Sequence, residues 1–444
     1  MNRKSSKTKN PVHHVVVISL DALSESEWPL IPFMPHLSRL MAEGSWSRKL
    51  QSVFPTHTYT AHTTMVTGVH PDKHGIIQNH PFQPFVPPHN QEWYWYQRQV
   101  KVPTIYDLTR KSGLKSAGLF WPVTGKSSIN WNIPEILALE GENQVLKILK
   151  NSSKAFMLNL ERRIGKKRVS TKQPDFDDFV ALAASETIKR KKPNLTLIHL
   201  CDLDNAKHTS RIESPAVKAS LLRQDRRVGE IMEAVRAAGM EERTAFILLG
   251  DHGQFSIDTN IHLNNLLRDE GLIYEEKGEM RWRAYLQTTG GNAFLHLKEG
   301  DSEAELRALE VLKKAAIQEK YGIQTIYNRK NLDDFRAAPG IQYGIEARAG
   351  FNIDETLSDE TIEDYGKKGI LYANHGYSPD KEGYKCLFFA CGPGFKAQNN
   401  LGPIEMVDIA PTIAELLGLR FYDCDGVSLA SSLFNDEVLS TKTE

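Results

Sequence analysis

The chain lacks three features that would each have indicated a broad class of protein. No stretch approaches the roughly 20 consecutive apolar residues that a transmembrane helix needs, and the strand-length run from Val15 to Leu20 stops at an acidic residue. Lysine and arginine together number 55, and so do aspartate and glutamate, so the formal net charge is zero. Without an excess of positive charge, we expect neither a nucleic acid polymer nor a membrane surface as partner.

Cysteine is also scarce, because the chain has only four and none of them forms a CxxC pair. This number and spacing exclude a disulfide framework, and two of the cysteines lie in or beside apolar runs, as buried free thiols do. The polar, basic N-terminus is followed by an apolar run that is too short for a secretory signal. We therefore expect a cytoplasmic protein.

The chain does contain a series of short apolar runs that each end in acidic or polar residues, as parallel strands do at a ligand-binding edge. These runs are Val15 to Leu20, Leu195 to Leu200, Ala245 to Leu249 and Cys386 to Ala390. Helical patterns lie between them, at Pro35 to Glu43, Thr104 to Ser112, Asp175 to Arg190, Ser214 to Ala238 and Asp408 to Leu417. The alternation predicts an α/β fold with a mostly parallel sheet sandwiched by helices.

Two regions interrupt this alternation. Residues 79–98 are rich in proline and aromatic residues and predict a loop that either packs over the site or covers the sheet. Residues 281–349, with a strong helix at Ser302 to Lys320, predict a smaller inserted α+β lobe. The catalytic core then comprises 12–280 and 350–435, flanked by a flexible N-terminal segment at 1–11 and a C-terminal tail at 436–444. The basic run from Arg162 to Arg168 predicts a solvated turn.

Acidic and histidine side chains cluster after the predicted strands. The set consists of Asp21, Asp204, His208, Asp251, His252 and His375. In a parallel sheet the carboxyl ends of the strands share one edge, where ligands bind. Carboxylates and neutral imidazoles are ligands that zinc accepts. Any single member could instead cap a helix or satisfy backbone groups, but their joint placement favours a metal site.

A hydroxyl that could act as nucleophile lies in the segment FPTHTYTAH, which contains Thr58 directly before a helix-like stretch. At a helix N-terminus, backbone N–H groups and the helix dipole favour negative charge. That position suits an attacking alkoxide and a bound phosphoryl group. The local sequence leaves a second interpretation open, in which Thr56, Thr58 or Thr60 only caps the helix.

Taken in order, the motifs resemble those of the nucleotide pyrophosphatase/phosphodiesterase family of the alkaline phosphatase superfamily. The resemblance covers nearly the whole chain, except residues 154–172 and most of the predicted inserted lobe. It rests on Asp21, Phe54-Pro55-Thr56-His57-Thr58, Thr67-Gly68, Pro71, His74-Gly75-Ile76-Ile77-Gln78-Asn79, Phe120-Trp121-Pro122, Asp204-x3-His208, Asp251-His252-Gly253, Asn374-His375-Gly376-Tyr377 and Val407-Asp408-Ile409-Ala410-Pro411-Thr412.

The resemblance implies two divalent metal ions, with Zn²⁺ expected before Mn²⁺, and a phospho-threonine intermediate at Thr58. One ion would be held by Asp21, Thr58, Asp251 and His252, and the other by Asp204, His208 and His375. Asn79 would hydrogen-bond a non-bridging phosphate oxygen, and Tyr59 would stack on a nucleobase. Metal coordination would activate a hydroxyl that is otherwise a poor nucleophile. Loss of a comparable oxyanion donor costs roughly 2.7–4 kcal/mol.

The function that follows is hydrolysis of phosphodiester or pyrophosphate bonds in nucleotide-like small molecules, as in a type I phosphodiesterase. No arginine is placed to clamp a phosphate monoester, whose extra charge needs a partner. The same metal set also serves phosphate monoesterases, phosphonoacetate-type hydrolases and phosphate-transferring mutases, which remain the alternatives. A binding module that had lost catalysis is disfavoured because all seven implied ligands are present. Nothing in the sequence indicates the oligomeric state.

Overall fold

The computed structural model describes residues 11–440. The predicted N-terminal segment, apart from Pro11, and residues 441–444 of the predicted tail lie outside this range. Within it the chain forms twenty β-strands: β1 (His14–Leu20), β2 (Ser45–Gln51), β3 (Ser116–Leu119), β4 (Trp131–Ile133), β5 (Leu195–Leu200), β6 (Thr244–Leu249), β7 (Phe255–Ser256), β8 (Thr259–Ile261), β9 (Ile273–Glu276), β10 (Glu279–Trp282), β11 (Ala284–Thr288), β12 (Asn292–Leu297), β13 (Ile323–Tyr327), β14 (Tyr343–Ala347), β15 (Phe351–Ile353), β16 (Ile362–Asp364), β17 (Ala373–Asn374), β18 (Cys386–Cys391), β19 (Asn399–Asn400) and β20 (Ile404–Glu405).

The same range contains sixteen α-helices. They are α1 (Pro35–Glu43), α2 (Thr58–Thr67), α3 (Pro71–His74), α4 (Ile105–Lys111), α5 (Gln144–Asn151), α6 (Lys154–Ile164), α7 (Asp175–Lys191), α8 (Asp202–His208), α9 (Pro215–Ala237), α10 (Leu263–Asp269), α11 (Ser302–Ala316), α12 (Arg329–Asp334), α13 (Tyr365–Lys368), α14 (Ile409–Leu416), α15 (Ala430–Leu433) and α16 (Asp436–Ser440). None of these helices is both long enough and apolar enough to span a bilayer.

Local chemistry explains where the main helices begin and end. Helix α9 begins where the Ser214 side chain accepts a hydrogen bond from the Val217 N–H, with proline at its first position. Helix α7 has three acidic residues in its first turn and three basic residues in its last, which complements the helix dipole. The predicted basic turn at 162–168 is instead the end of α6 followed by a single 3₁₀ turn.

The central sheet has nine strands in the order β19-β2-β18-β6-β1-β5-β3-β4, with β20 paired to β2. The five strands from β6 to β4 are all parallel. Strand β18 runs antiparallel to both β2 and β6, which corrects its inclusion among the parallel strands. A short apolar run has the same appearance in either direction, so the sequence could not distinguish them. The mostly parallel α/β prediction is confirmed.

Side chains of the central strands point alternately into two separate hydrophobic cores, one on each face of the sheet. On β1, Val16, Ile18 and Leu20 pack with helices α1, α6, α7 and α9. The intervening residues Val15 and Val17 pack on the other face with α2, α4 and α14. Each fully buried aliphatic side chain contributes about 1.5–3 kcal/mol relative to exposure. The sheet is thereby held between two helical layers, and its strand ends are fixed in place.

A second unit, with its own core, follows the central strand β6. Strands β11, β12, β14 and β13 form an antiparallel sheet covered by α11. Its hydrophobic cluster also takes in residues from 257–273 and from 353–384, on either side of the predicted lobe at 281–349. The bounds of that lobe stay a prediction.

Candidate active site

The predicted site residues converge because three neighbouring parallel strands end together. In the register of the sheet Leu20 lies beside Leu200, and Ser19 lies beside Leu249. Asp21 therefore follows β1 at the same edge where Asp202 and Asp204 follow β5 and Asp251 follows β6. Thr58 is the first residue of α2, with His57 at the N-cap in an extended conformation. The predicted position of Thr58 at a helix N-terminus is confirmed.

We call Asp21, Thr58, Asp251 and His252 the first half-site. Thr58 Oγ1 lies 3.3 Å from His252 Nε2, which in turn lies 3.2 Å from Asp21 Oδ1 and 3.4 Å from Asp251 Oδ2. Ligand atoms of Asp21, Asp251 and His252 all lie within 4.8 Å of one another. All four residues are buried, with Thr58 the most exposed at 8%.

We call Asp204, His208 and His375 the second half-site. His208 Nε2 lies 3.3 Å from Asp204 Oδ1, to which the Gln254 side chain also donates a hydrogen bond. Ligand atoms of Asp204, His375 and His252 lie within 4.8 Å of one another, and the His252 and His375 rings stack at 3.9 Å. His252 therefore lies between the two half-sites.

The three histidines share one orientation. Nδ1 faces a backbone carbonyl in each case: Ala373 for His208 at 2.8 Å, Gly253 for His252 at 3.3 Å and Thr56 for His375 at 3.2 Å. A carbonyl oxygen can only accept, so Nδ1 carries the proton and the Nε2 lone pair faces the site. A backbone acceptor that fixes the tautomer in this way is typical of metal-ligating histidines.

The charges and unpaired atoms of the site fit a cation. Asp21 Oδ1 and Asp251 Oδ2 are buried and have no hydrogen-bond partner among the described residues 11–440. Burial, followed by the nearby charges of Asp251 and Asp204, raises the pKa of Asp21 well above its usual value. Burial and the neighbouring imidazoles hold the pKa of His375 well below its usual value, so that ring is neutral. Carboxylate oxygens and neutral imidazoles are a donor set suited to zinc.

Asn79 lies beside the nucleophile. Its Oδ1 accepts a hydrogen bond from the Tyr59 N–H at 2.9 Å, which orients the amide and leaves its NH₂ group as the donor. The Tyr94 N–H donates to the Asn79 carbonyl at 3.0 Å, so the aromatic loop is attached to this residue. Asn79 is 8% exposed, as Thr58 is.

The prediction that Tyr59 stacks on a nucleobase conflicts with its burial, since only 1% of the residue is exposed. The Trp93 ring lies edge-on to it with centroids 5.2 Å apart, and Trp95 packs in the same cluster. The loop at 79–98 thus covers the Tyr59 ring. In this arrangement Tyr59 offers no free face, and the partly exposed Trp93 covers it.

Several residues at the site were not found from the sequence. His199 bridges two carboxylates, with Nδ1 2.9 Å from Glu135 Oε2 and Nε2 3.1 Å from Asp21 Oδ2. A histidine within the otherwise apolar strand β5 was the available signal. His57 donates from Nε2 to the Thr289 carbonyl at 2.7 Å. That contact joins the site to the turn between β11 and β12, and no local pattern indicates it.

The same turn also holds the second half-site. The Gly291 N–H donates to the His375 carbonyl at 2.8 Å. A Cβ on Gly376, whose φ is +91°, would lie 1.6 Å from the Thr289 carbonyl oxygen. Only glycine fits at this close approach. The second unit therefore contributes directly to the position of His375.

Comparison with known proteins is consistent with this geometry. Residues 15–378 match the family model described as type I phosphodiesterase/nucleotide pyrophosphatase. A venom phosphodiesterase of Macrovipera lebetinus is 22% identical over 398 residues, covering 87% of this chain and 41% of that protein. Human ectonucleotide pyrophosphatase/phosphodiesterase family member 1 is 28% identical over 247 residues, covering 53% and 23%. The chain thus spans less than half the length of these curated relatives.

Solved structures show the same fold at low sequence identity. Human ectonucleotide pyrophosphatase/phosphodiesterase 5 superposes with a TM-score of 0.68 at 20% identity, covering 95% of this chain and 99% of that one. An inactive variant of the murine protein in complex with AMP gives 0.67, also at 20% identity, covering 95% and 100%. The fold is therefore alkaline phosphatase-like. Since the family model spans most of the chain, this protein belongs to the type I phosphodiesterase/nucleotide pyrophosphatase family.

Proposed function

We propose that the protein hydrolyses phosphodiester or pyrophosphate bonds of nucleotide-like small molecules, with Thr58 as nucleophile. The observation that carries the proposal is that both half-sites meet at His252, whose Nε2 lies 3.3 Å from the Thr58 hydroxyl. Asp21, Asp251 and His252 would hold one divalent ion together with Thr58, and Asp204, His208 and His375 would hold the other. Zinc suits this donor set, and manganese is the alternative.

When bound, the two ions would lower the pKa of the attacking hydroxyl and neutralise charge on the phosphate. In the first step the Thr58 proton leaves to solvent, the Thr58 Oγ–phosphorus bond forms, and the bond from phosphorus to the leaving oxygen breaks. The phospho-threonine is then cleaved by water, which restores the hydroxyl and releases the phosphate product. The NH₂ group of Asn79 would donate to a non-bridging oxygen as negative charge develops there.

The surroundings of Thr58 support a diester of modest size. The described contacts place no arginine or lysine side chain on Thr58 or Asn79, so the extra charge of a monoester would find no cationic partner. Thr58, Asn79 and His375 are only 7–8% exposed, which leaves a narrow opening. AMP bound to the murine relative supports a nucleotide-like substituent. The cytoplasmic location expected from the sequence stays a prediction.

A panel of four substrates tests the proposal on zinc-loaded protein. The substrates are bis-p-nitrophenyl phosphate, thymidine p-nitrophenyl phosphate, p-nitrophenyl phosphate and phosphonoacetate. We expect the highest kcat/KM for the thymidine diester, and we expect a chelator to abolish turnover. A preference for the monoester or for phosphonoacetate would overturn the substrate class while leaving the Thr58 nucleophile in place. No turnover of any substrate, with transfer of phosphate within a single molecule instead, would indicate a mutase.

A further inference from the structure

A fully buried lysine lies on the helix that carries two of the predicted ligands, without being a predicted ligand itself. Lys207 is on α8 between Asp204 and His208, and none of its side chain is exposed. Its Nζ donates to the Ala22 carbonyl at 2.7 Å and to Glu27 Oε2 at 2.9 Å. An ammonium group is costly to bury unless it is paired and hydrogen-bonded. Its burial therefore depends on this particular pairing.

Glu27, the partner of Lys207, is itself fixed in place. It is 2% exposed and lies in the segment that follows β1. Its Oε2 accepts hydrogen bonds from the Ser24 N–H at 2.9 Å and the Ser24 hydroxyl at 3.1 Å, and its Oε1 accepts from Ser26 at 2.8 Å. Three donors besides Lys207 therefore orient the carboxylate. The pair therefore joins two fixed segments, because movement of either side chain would break several hydrogen bonds.

Ala22 connects this pair to the first half-site. It follows Asp21 directly, and its N–H donates to Asp251 Oδ1 at 2.9 Å while its carbonyl accepts from Lys207. Its φ of +62° is left-handed, a conformation that a residue with a Cβ seldom adopts. Hydrogen bonds on both sides of the residue hold it there. A single peptide segment thus joins Asp21 and Asp251 to the helix that carries Asp204 and His208.

We propose that the Lys207–Glu27 pair is a positioning device that sets the separation between the two half-sites, and this rests on the proposed two-ion function. Two ions act on one phosphate only when their spacing matches the attacking and leaving oxygens. The pair lies across the gap between the elements that fix this spacing. Buried ion pairs are weak evidence for stability in themselves. A purely structural role would therefore leave the binding of the second ion unchanged.

The test removes both charges together with Lys207→Met and Glu27→Gln. Replacing a buried pair by neutral groups can leave stability nearly unchanged, and glutamine keeps an oxygen for the Ser24 N–H. We expect the metal-free double variant to melt close to the wild-type temperature and to bind one zinc ion normally. In a calorimetric titration its second zinc should bind about 10-fold more weakly or worse. With bis-p-nitrophenyl phosphate, kcat should fall by a similar factor while KM stays within about twofold.

Matched variants separate positioning from stability. Lys207→Met alone leaves the Glu27 carboxylate buried without a counter-charge, so the metal-free protein should melt at a lower temperature, and adding Glu27→Gln should restore it. Arg283→Met is the control, because Arg283 is 29% exposed and pairs with Asp301 at 2.6 Å in the second unit. It should lower the melting temperature but leave both zinc affinities unchanged. If the double variant does not fold, Glu27→Asp is the substitute. It shortens the acidic side chain by one methylene and keeps both charges, and it should weaken binding of the second zinc ion in the same way.

The possible outcomes separate the two proposals. Wild-type zinc affinities and wild-type kcat in the double variant, or in Glu27→Asp, would overturn the positioning role while leaving the two-ion site intact. Weaker binding of both ions by equal factors would also overturn it, because the pair would then act on general stability. A wild-type protein that binds fewer than two zinc ions would contradict the proposed function itself.

Discussion

The two half-sites are built differently, although they meet at His252. In the first half-site, Asp21 and Asp251 lie just after adjacent strands of the central sheet, and their side chains are 5% and 0% exposed. In the second half-site, ligands come from the short helix α8 and from the loop after β17. There the side chains of Asp204 and His208 are 16% and 26% exposed. The nucleophile therefore lies in the more deeply buried half, and two of the three ligands in the other half are partly exposed.

The carboxylates of the two half-sites also differ in their tendency to ionise. Burial and two neighbouring carboxylates raise the pKa of Asp21 well above its usual value. Burial opposes ionisation of Asp204 too, but His208 outweighs it and lowers the pKa of Asp204 to about 2. The neighbouring carboxylates thus oppose ionisation of Asp21, whereas the imidazole of His208 favours ionisation of Asp204.

The largest expected effect comes from removing the nucleophile in the first half-site. Thr58→Ala should lower kcat on the order of 10⁴-fold or more, because the covalent route is lost. Zinc content should fall little, since three other ligands remain. Rapid quenching followed by mass spectrometry should detect phosphate on wild-type Thr58 and none in the variant.

A threonine on the same helix provides the control. Thr60 is buried, and its hydroxyl has no hydrogen-bond partner within residues 11–440. Thr60→Ala should therefore retain near wild-type turnover. Near wild-type kcat in Thr58→Ala with zinc bound would rule out the covalent mechanism.

The second largest effect is expected from replacing one metal ligand in each half-site. Asp251→Asn and His208→Ala should each weaken the binding of one zinc ion by more than about 100-fold. Loss of a ligand should exceed the 10–100-fold loss of affinity that changes in outer-shell residues cause. Asp251→Asn should cost more activity, because it removes a negative charge from the half-site that holds Thr58, although the amide oxygen can still accept from the Ala22 N–H. Elemental analysis after dialysis should give about one ion per chain in each variant, by this reasoning.

A histidine outside the site serves as the control for metal content. His262→Ala removes a ring that bonds Glu363 and Thr356 in the second unit, and it should leave zinc occupancy unchanged. Unchanged occupancy in Asp251→Asn would show that the carboxylate is not a ligand. Equal losses of activity from Asp251→Asn and His208→Ala would remove the contrast between the half-sites.

This contrast also explains which parts of the molecule could be predicted from its sequence. Asp21 and Asp251 were found because a strand that ends in an acidic residue is a local pattern. Helix α1 agrees with its predicted range at both ends, and α9 lies within one residue of its predicted range, because capping residues and proline are local signals too. The tautomers of His208 and His375 follow from the backbone carbonyls of Ala373 and Thr56, which are distant in sequence, so no local pattern could have shown them.

The features that the sequence did not reveal have the same physical origin. The direction of β18 depends on its neighbours β2 and β6, which lie far away in the chain. Burial of Tyr59 depends on the loop at 79–98, whose aromatic residues pack partly around Tyr59 and partly against the core of the second unit. Lys207 reads as an ordinary helix lysine until Glu27, 180 residues earlier, is placed beside it. Contacts of long sequence separation decided each case.

Asn79 should have a smaller effect than the metal ligands. Asn79→Ala removes a donor to the developing charge and should lower kcat by about 10²–10³-fold, as loss of one oxyanion donor does elsewhere. Both zinc ions should remain, because the amide lies outside the two half-sites. Steady-state kinetics with a zinc assay on the same sample would check this. A rise in KM with unchanged kcat would instead assign Asn79 to substrate binding in the ground state.

The smallest expected effect concerns the aromatic border of the site. Trp93 covers Tyr59 and is partly exposed, so a nucleobase would meet Trp93 first. Trp93→Ala should raise KM for thymidine p-nitrophenyl phosphate about fivefold, the lower end of what base stacking contributes. KM for bis-p-nitrophenyl phosphate and the zinc content should change little. A fall in KM for the thymidine substrate would mean that Trp93 blocks access to Tyr59, and would restore Tyr59 as the stacking ring.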